Sequence, residues 1–195
     1  MGGRFPDIWL VRHGETEWSR AGRHTGRTDV PLTEEGERQA KALGAYLEGR
    51  PFALVLTSPL RRARETCRLA GYGEEARATE DLMEWDYGAR EGRQTSEIRE
   101  EEPGWTIWTG RVPGGETAEQ VAARTRRVLA SAEQSAGDAL LFAHGHVLRI
   151  LAASWLGLQP EAGRLLALEA GSTSVLGHEH EARVIRLWNR LPNRK

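Results

Sequence analysis

Three short runs of strand-forming apolar residues decide what this chain can fold into. Ile8 to Val11, Phe52 to Leu56 and Ala139 to Ala143 are the cores of predicted strands over 7–12, 52–57 and 138–143. The runs stop at Arg12-His13-Gly14, Ser58-Pro59 and His144-Gly145-His146. Strands that are apolar throughout, rather than alternating, belong in a parallel sheet covered on both faces. Helical patterns follow the strands, and this alternation persists through the first 160 residues. The prediction is an α/β fold: a three-layer α/β/α sandwich with a mostly parallel central sheet and right-handed crossovers. Open sheets of this kind bind ligands beyond the carboxyl ends of their strands. Arg12, His13 and His144 are therefore predicted to share one rim.

The connecting segments fill in the outline. Met1 to Pro6 reads as a lead-in, and Gly14 to Leu32 as a polar loop with one short turn. Thr33 caps a helix whose first turn carries Glu34 and Glu35 and whose buried stripe is Ala40, Leu43 and Leu47. Ser58 and Pro59 read as the N-cap and first position of a helix reaching Gly71. It turns Leu60, Ala63, Cys67 and Ala70 inward and leaves Arg61, Arg62, Arg64 and Arg68 elsewhere. One first-turn arginine then falls on the rim of His13.

A weak strand near Arg77 to Thr79 precedes Leu82 to Gly88. Gln94 to Glu101 reads as a short helix, and Pro103 to Gly115, with Trp105 and Trp108, as an irregular cover. Thr117 and Gln120 form a capping-box pair before a helix striped by Val121, Thr125, Val128 and Ala132. The helix after His144 is apolar almost all round, with Arg149 its sole charge. Leu165 to Ala170, Thr173 to Gly177 and Arg183 to Trp188 read as shorter strands, the last two a hairpin.

Composition narrows the function classes. At 195 residues the chain is expected to form one domain, 1–195. A net charge of −1 gives no bulk field for nucleic acid or an anionic membrane. The run from Val147 to Leu158 is broken by Arg149 and too short to span a bilayer. No apolar signal core opens the chain, so a cytoplasmic location is expected. The single cysteine, Cys67, excludes an internal disulfide and a cysteine-based zinc cage. Two histidines, two arginines and a nearby carboxylate, Glu84 or Asp86, describe a phosphate site with acid–base capacity. Arginine's planar fork matches phosphate oxygens two at a time.

Five ordered blocks carry a family resemblance. They are Leu10-Val11-Arg12-His13-Gly14-Glu15-Thr16, Gly26 to Thr33, Ser58-Pro59-Leu60-Arg61-Arg62-Ala63-Arg64-Glu65-Thr66, Leu82-Met83-Glu84 with Gly88 and Glu91-Gly92, and Ala143-His144-Gly145-His146. Gly115-Glu116-Thr117 adds to the match between the last two. The chain resembles the histidine phosphatase superfamily, the phosphoglycerate mutase-like fold. That resemblance implies that His13 attacks phosphorus and becomes phosphorylated. A hydrogen bond on its other nitrogen should fix the tautomer. Arg12, Arg62 and His144 would hold the phosphoryl oxygens, and Glu84 would protonate the leaving oxygen and then deprotonate water. The family's Ser-x-Leu-x-Arg-Ala spacing selects Arg62 over Arg61. Glu15 is expected to orient or fix the loop.

Two departures stand out: Ser19 where many members have Asn, and His146 where many have glycine. A finer resemblance is to a branch containing fungal sedoheptulose-1,7-bisphosphatase and a mycobacterial acid phosphatase of mutase-like sequence. It adds Ser19, Thr25, Gly26, Tyr87, His146 and Arg149 as phosphate- or substrate-binding candidates, with Trp85 and His24 weaker ones. Arg149 would take a second phosphate. The expected partner is a small-molecule phosphate ester; no cofactor or metal is implied, and a homo-oligomer is left open. The alternatives are a cofactor-dependent phosphoglycerate mutase, a metal-dependent hydrolase using His144-x-His146 and His178-x-His180, and a non-catalytic phosphate-binding module. Mutases of the family carry a longer insert over the site, whereas here only Gly88 to Gly115 is available as a lid.

Overall fold

The computed structural model describes residues 5–192; most of the predicted lead-in therefore lies outside the described residues. The strands are β1 (Ile8–Arg12), β2 (Leu54–Thr57), β3 (Arg77–Ala78), β4 (Ala139–Ala143), β5 (Thr173–Glu179) and β6 (Ala182–Arg190). The helices are α1 (Glu17–Arg20), α2 (Glu34–Leu47), α3 (Arg61–Leu69), α4 (Thr95–Glu101), α5 (Ala118–Glu133) and α6 (Gly145–Trp155). Short 3-10 turns occupy Glu80–Leu82, Gly88–Arg90 and Pro160–Leu165.

The sheet runs β3-β2-β4-β1-β5-β6. The pairs β3–β2, β2–β4 and β4–β1 are parallel, while β1–β5 and β5–β6 are antiparallel. Alternation along β1 shows why helices cover both faces. Ile8 and Leu10 pack with Val121, Leu129 and Ile150 of α5 and α6. Trp9 and Val11 pack on the opposite face with Leu43 and Leu47 of α2 and Cys67 of α3. All five residues of β4 are buried. Full burial of each aliphatic side chain contributes roughly 1.5–3 kcal/mol, so β1 and β4 are the segments least open to polar substitution. The predicted three-layer α/β/α architecture is the one observed.

Local capping chemistry sets the helix starts. The hydroxyls of Thr33 and Thr117 accept from the backbone N–H of Gly36 and Gln120, as their sequence contexts predict. Ser58-Pro59 does not start α3: the N-cap is Leu60, and no side chain caps it. The Ser58 hydroxyl accepts from Leu60 N–H at 3.3 Å and from His144 at 2.8 Å, so its local bond closes a turn ahead of α3. Leu165 to Ala170 is not a strand either; a 3-10 turn ends at Leu165 and an irregular segment follows. The antiparallel side of β1 is already occupied by β5, which leaves that apolar run without a partner.

Register brings the strand ends together. Arg12 pairs with Ala143, and Thr57 pairs with Phe142. His13, Ser58 and His144 thus emerge side by side. The loop after β1 needs two glycines: a Cβ on Gly14 would lie 2.3 Å from the Gly36 carbonyl oxygen, and one on Gly36 2.2 Å from that of Glu15. Backbone packs directly on backbone there, seating the His13 loop on the first turn of α2.

Candidate active site

His13 is buried, and its backbone is tied to both neighbouring strands' connections. Its N–H donates to the Ala143 carbonyl at 3.0 Å, and its own carbonyl accepts from Gly171 N–H at 2.9 Å. The ring Nδ1 lies 2.7 Å from the Gly14 carbonyl. A carbonyl only accepts, so Nδ1 carries the proton and Nε2 keeps its lone pair. Burial lowers the His13 pKa well below the ordinary 6.5, and Arg62 and Arg12 push in the same direction. The result is a neutral imidazole in a fixed tautomer, the form a nucleophile requires. The loop is held further by Gly14 N–H donating to Thr66 Oγ1 at 3.0 Å. Thr33 Oγ1 donates to Glu15 Oε1 at 2.9 Å, so Glu15 fixes the loop, as expected.

The three expected anion binders are placed differently from one another. Arg12 donates from Nη1 to the Leu168 carbonyl, while its buried Nε has no hydrogen-bond partner. An unpaired buried guanidinium N–H is costly unless an acceptor arrives. Arg62 is fully buried. It donates to His144 Nδ1 at 3.0 Å and to the carbonyls of Thr28, Thr25 and Gly26 at 2.9, 3.1 and 2.8 Å. Four of its five N–H bonds are therefore committed.

Because Arg62 donates to Nδ1, His144 carries its proton on Nε2 and donates it to Ser58 Oγ at 2.8 Å. Its ring centroid lies 5.1 Å from that of His13. Neither Arg62 nor His144 is among the residues lining the cavity described below. A phosphoryl oxygen would have to compete with Ser58 for the His144 proton. Strand-end position alone could not reveal these prior commitments.

Glu84 is buried and held by backbone. Oε1 accepts from Trp85 and Val147 N–H, each at 2.9 Å, and Oε2 accepts from His146 N–H at 3.0 Å. The carboxylate thus sits at the N-terminus of α6, where the helix dipole favours negative charge. Arg124, from α5, ties down the backbone of the same loop. It donates to the Met83 and Glu84 carbonyls at 2.5 and 3.1 Å and to Glu116 Oε1 at 2.9 Å. Arg124 was missed in the sequence, although a charge three residues after Val121 on a buried helical stripe was the visible signal.

A cavity of about 390 Å³ gathers the rest. Arg12, His13, Ser19, Thr25, Glu84, Tyr87, His146 and Arg149 line it, together with Arg23, His24, Arg99 and Trp108. Trp85 packs behind this wall, its ring 6.3 Å from that of His146. The Ser19 hydroxyl reaches the cavity but also donates to the Thr16 carbonyl at 3.0 Å, in the cap of α1. Gly26 contributes its carbonyl to Arg62 and does not line the cavity. Gly145 packs beside the Arg12 guanidinium at the start of α6, where a Cβ would make ordinary contact with the guanidinium carbon at 3.4 Å. Arg149 stacks over Trp108, 4.6 Å from its ring centre, and donates from Nε to the Gly163 carbonyl at 2.9 Å. A separate hollow of about 440 Å³ lies on the other side of Arg12 and contains neither His13 nor Glu84. We assign the chemistry to the first.

The two His-x-His pairs lie at opposite ends of α6. His144 precedes its first residue, whereas His178 packs on Trp155, its last. Among the described residues no three His, Cys, Asp or Glu side chains converge as metal ligands. No helix among them is long and apolar enough to cross a membrane.

The buried imidazoles make stability depend on pH. Burial lowers His24 to about 4, and His13, His144 and His146 fall well below 6.5. Each takes up a proton less readily folded than unfolded, so the unfolded chain binds more protons just below 6.5. The stabilisation is complete above 6.5 and is lost as pH falls toward the folded values. Thermal unfolding should show Tm falling steadily from pH 6.5 to about 4, with a shallower slope in His24→Gln. A flat profile over that window would refute the burial argument.

Sequence and fold match known proteins. The histidine phosphatase superfamily (branch 1) is matched over residues 8–191. An acid phosphatase of Mycobacterium tuberculosis is 41% identical over 187 residues, covering 94% of this chain and 92% of the relative. Sedoheptulose 1,7-bisphosphatase of Saccharomyces cerevisiae is 38% identical over 185 residues, covering 78% and 68%. A solved structure of an open-reading-frame product from Mycobacterium tuberculosis superposes with a TM-score of 0.91 at 38% identity, over 96% of this chain and 99% of that one. The chain belongs to the histidine phosphatase superfamily.

Proposed function

We propose that the protein hydrolyses phosphate monoesters of small metabolites, sugar phosphates or bisphosphates among them, through a phosphohistidine on His13. One observation carries the reading: a neutral His13, its Nδ1 proton locked on the Gly14 carbonyl, shares a cavity with Arg12 and Glu84. In the first step the Nε2 lone pair forms the N–P bond as the P–O ester bond breaks. The protonated form of Glu84 gives its proton to the departing oxygen from Oε2, which holds a single N–H donor. In the second step water loses a proton to Glu84 and attacks phosphorus, and His13 departs with the N–P electron pair. Arg12 Nε–H, the one uncommitted Arg62 N–H and the exchangeable His144 proton stabilise the charge that spreads over the phosphoryl oxygens.

The short cover favours water as the acceptor over a retained bisphosphate intermediate. Between Gly88 and Gly115 the chain supplies a 3-10 turn, α4 and an irregular stretch whose Thr106 and Trp108 reach the cavity. Arg149, pre-ordered by Trp108 and the Gly163 carbonyl, stands across this cavity as the candidate for a second phosphate. The relatives named above as an acid phosphatase and a bisphosphatase support both parts.

The test is phosphate release from a sugar bisphosphate and its monophosphate after exhaustive EDTA treatment. Hydrolysis should persist, and Arg149→Ala should lower kcat/KM for the bisphosphate about tenfold more than for the monophosphate. Loss of all hydrolysis on EDTA treatment would overturn the metal-independent mechanism. Equal losses on the two esters would remove the Arg149 role.

A further inference from the structure

His146 does two things at once in the cavity wall. Its backbone N–H holds the Glu84 carboxylate, while its ring remains partly accessible, at 21%. The ring Nδ1 is 3.9 Å from Glu84 Oε2 and 2.7 Å from the Tyr87 hydroxyl. The second contact is the informative one. Tyr87 is fully buried, and its burial together with the charge of Glu84 pushes its ionisation well above 10. The phenol keeps its proton and has His146 Nδ1 as its hydrogen-bond partner. Reversing the bond would leave a buried hydroxyl proton without an acceptor, which buried groups avoid.

Tyr87 therefore donates, His146 Nδ1 accepts, and a neutral imidazole in that state carries its proton on Nε2. Protonation of both nitrogens is opposed by burial and by Arg149, His24 and Arg12 around the ring. Position decides what the Nε2 proton can meet. The acid that protonates the ester oxygen is anchored on the same residue, so the ring flanks the leaving group rather than the phosphoryl group. Trp108 closes one side, with ring centroids 5.1 Å apart.

We propose that Tyr87 locks His146 as an Nε2–H donor that reads an oxygen acceptor on the leaving group, beyond the ester oxygen. Such a site prefers polyol and sugar phosphates to aryl phosphates. This inference rests on the phosphatase reading. His146 determines specificity, and Tyr87 is a positioning residue acting through it. A site with a fixed donor discriminates strongly against a substrate lacking the acceptor.

The experiment compares glycerol 3-phosphate, which offers hydroxyl oxygens beyond the ester, with phenyl phosphate, which does not. Tyr87→Phe and His146→Ala should each lower the ratio of their kcat/KM values by about tenfold or more, chiefly through KM for the glycerol ester. His146→Gln retains an N–H donor and should recover part of the ratio. Nitrogen NMR of the wild type should show the Nε2–H tautomer at His146, and Tyr87→Phe should yield a tautomer mixture. Equal losses on the two esters, or an Nδ1–H tautomer in the wild type, would overturn the proposal. Failure of the wild type to hydrolyse either ester would overturn the phosphatase reading instead, leaving the tautomer result to stand or fall by itself.

Discussion

His13→Ala should reduce phosphate release from p-nitrophenyl phosphate to below about 1% of wild type, because a covalent route has no substitute once its nucleophile is gone. The alternative nucleophiles in the cavity are already engaged. Glu84 accepts three backbone N–H groups, and His146 Nδ1 is tied to Tyr87. The substitution removes a ring bonded to the Gly14 carbonyl, so the fold should survive with a modest change in Tm. Acid-labile phosphoenzyme should be trapped by rapid quench in the wild type and be absent from the variant. Retained turnover above a few per cent, in a folded variant, would show that His13 is not the nucleophile.

Arg62→Ala should damage stability and activity together, for one structural reason. The guanidinium joins three carbonyls of the 25–28 loop to His144 Nδ1, with no exposure to solvent. Deleting it strips His144 Nδ1 and the Gly26 carbonyl, both buried, and the half-buried Thr25 carbonyl of this donor, while the Thr28 carbonyl keeps the N–H of Val30. By analogy with other broken buried networks this costs about 3–5 kcal/mol. In a domain of this size the corresponding fall in Tm is roughly 6–20 °C. Activity should fall about a thousandfold, since His144 loses its tautomer-setting donor and the phosphoryl group loses a cation. Arg62→Lys should rescue little, because an ammonium cannot reproduce a planar fork. A variant with unchanged Tm would show that the 25–28 loop is held by something else.

Much of the fold was legible because its strands are short and apolar and its helices carry their own caps. Thr33 and Thr117 worked as read, since their partners lie three residues away in the same segment. Ser58 misled for a physical reason. A serine before proline is a strong local cap signal, but the hydroxyl bonds Leu60 N–H two residues on and is shared with a tertiary partner, His144, and α3 begins after that turn. Leu165 to Ala170 had the composition of a strand, but the place beside β1 is taken by β5.

The candidate site was legible as a rim but not as a wiring diagram. Strand ends predicted that Arg12, His13, His144 and either Arg61 or Arg62 would be neighbours, and the family resemblance selected Arg62. They could not show that Arg62 and His144 would satisfy one another and Ser58 behind the cavity. The resemblance supplied Glu84, and only the three-dimensional arrangement revealed that backbone N–H groups of α6, with Arg124 behind the loop, hold it.

That anchoring has a consequence for how such a site can diversify. The groups gripping Glu84 from α6 belong to the main chain of residues 146 and 147, and every amino acid except proline supplies them. The side chain at 146 can therefore be exchanged without releasing the acid. On the proposed function, leaving-group preference and the anchoring of the acid draw on the same residue through separable parts of it, so new substrates can be reached while the acid stays held.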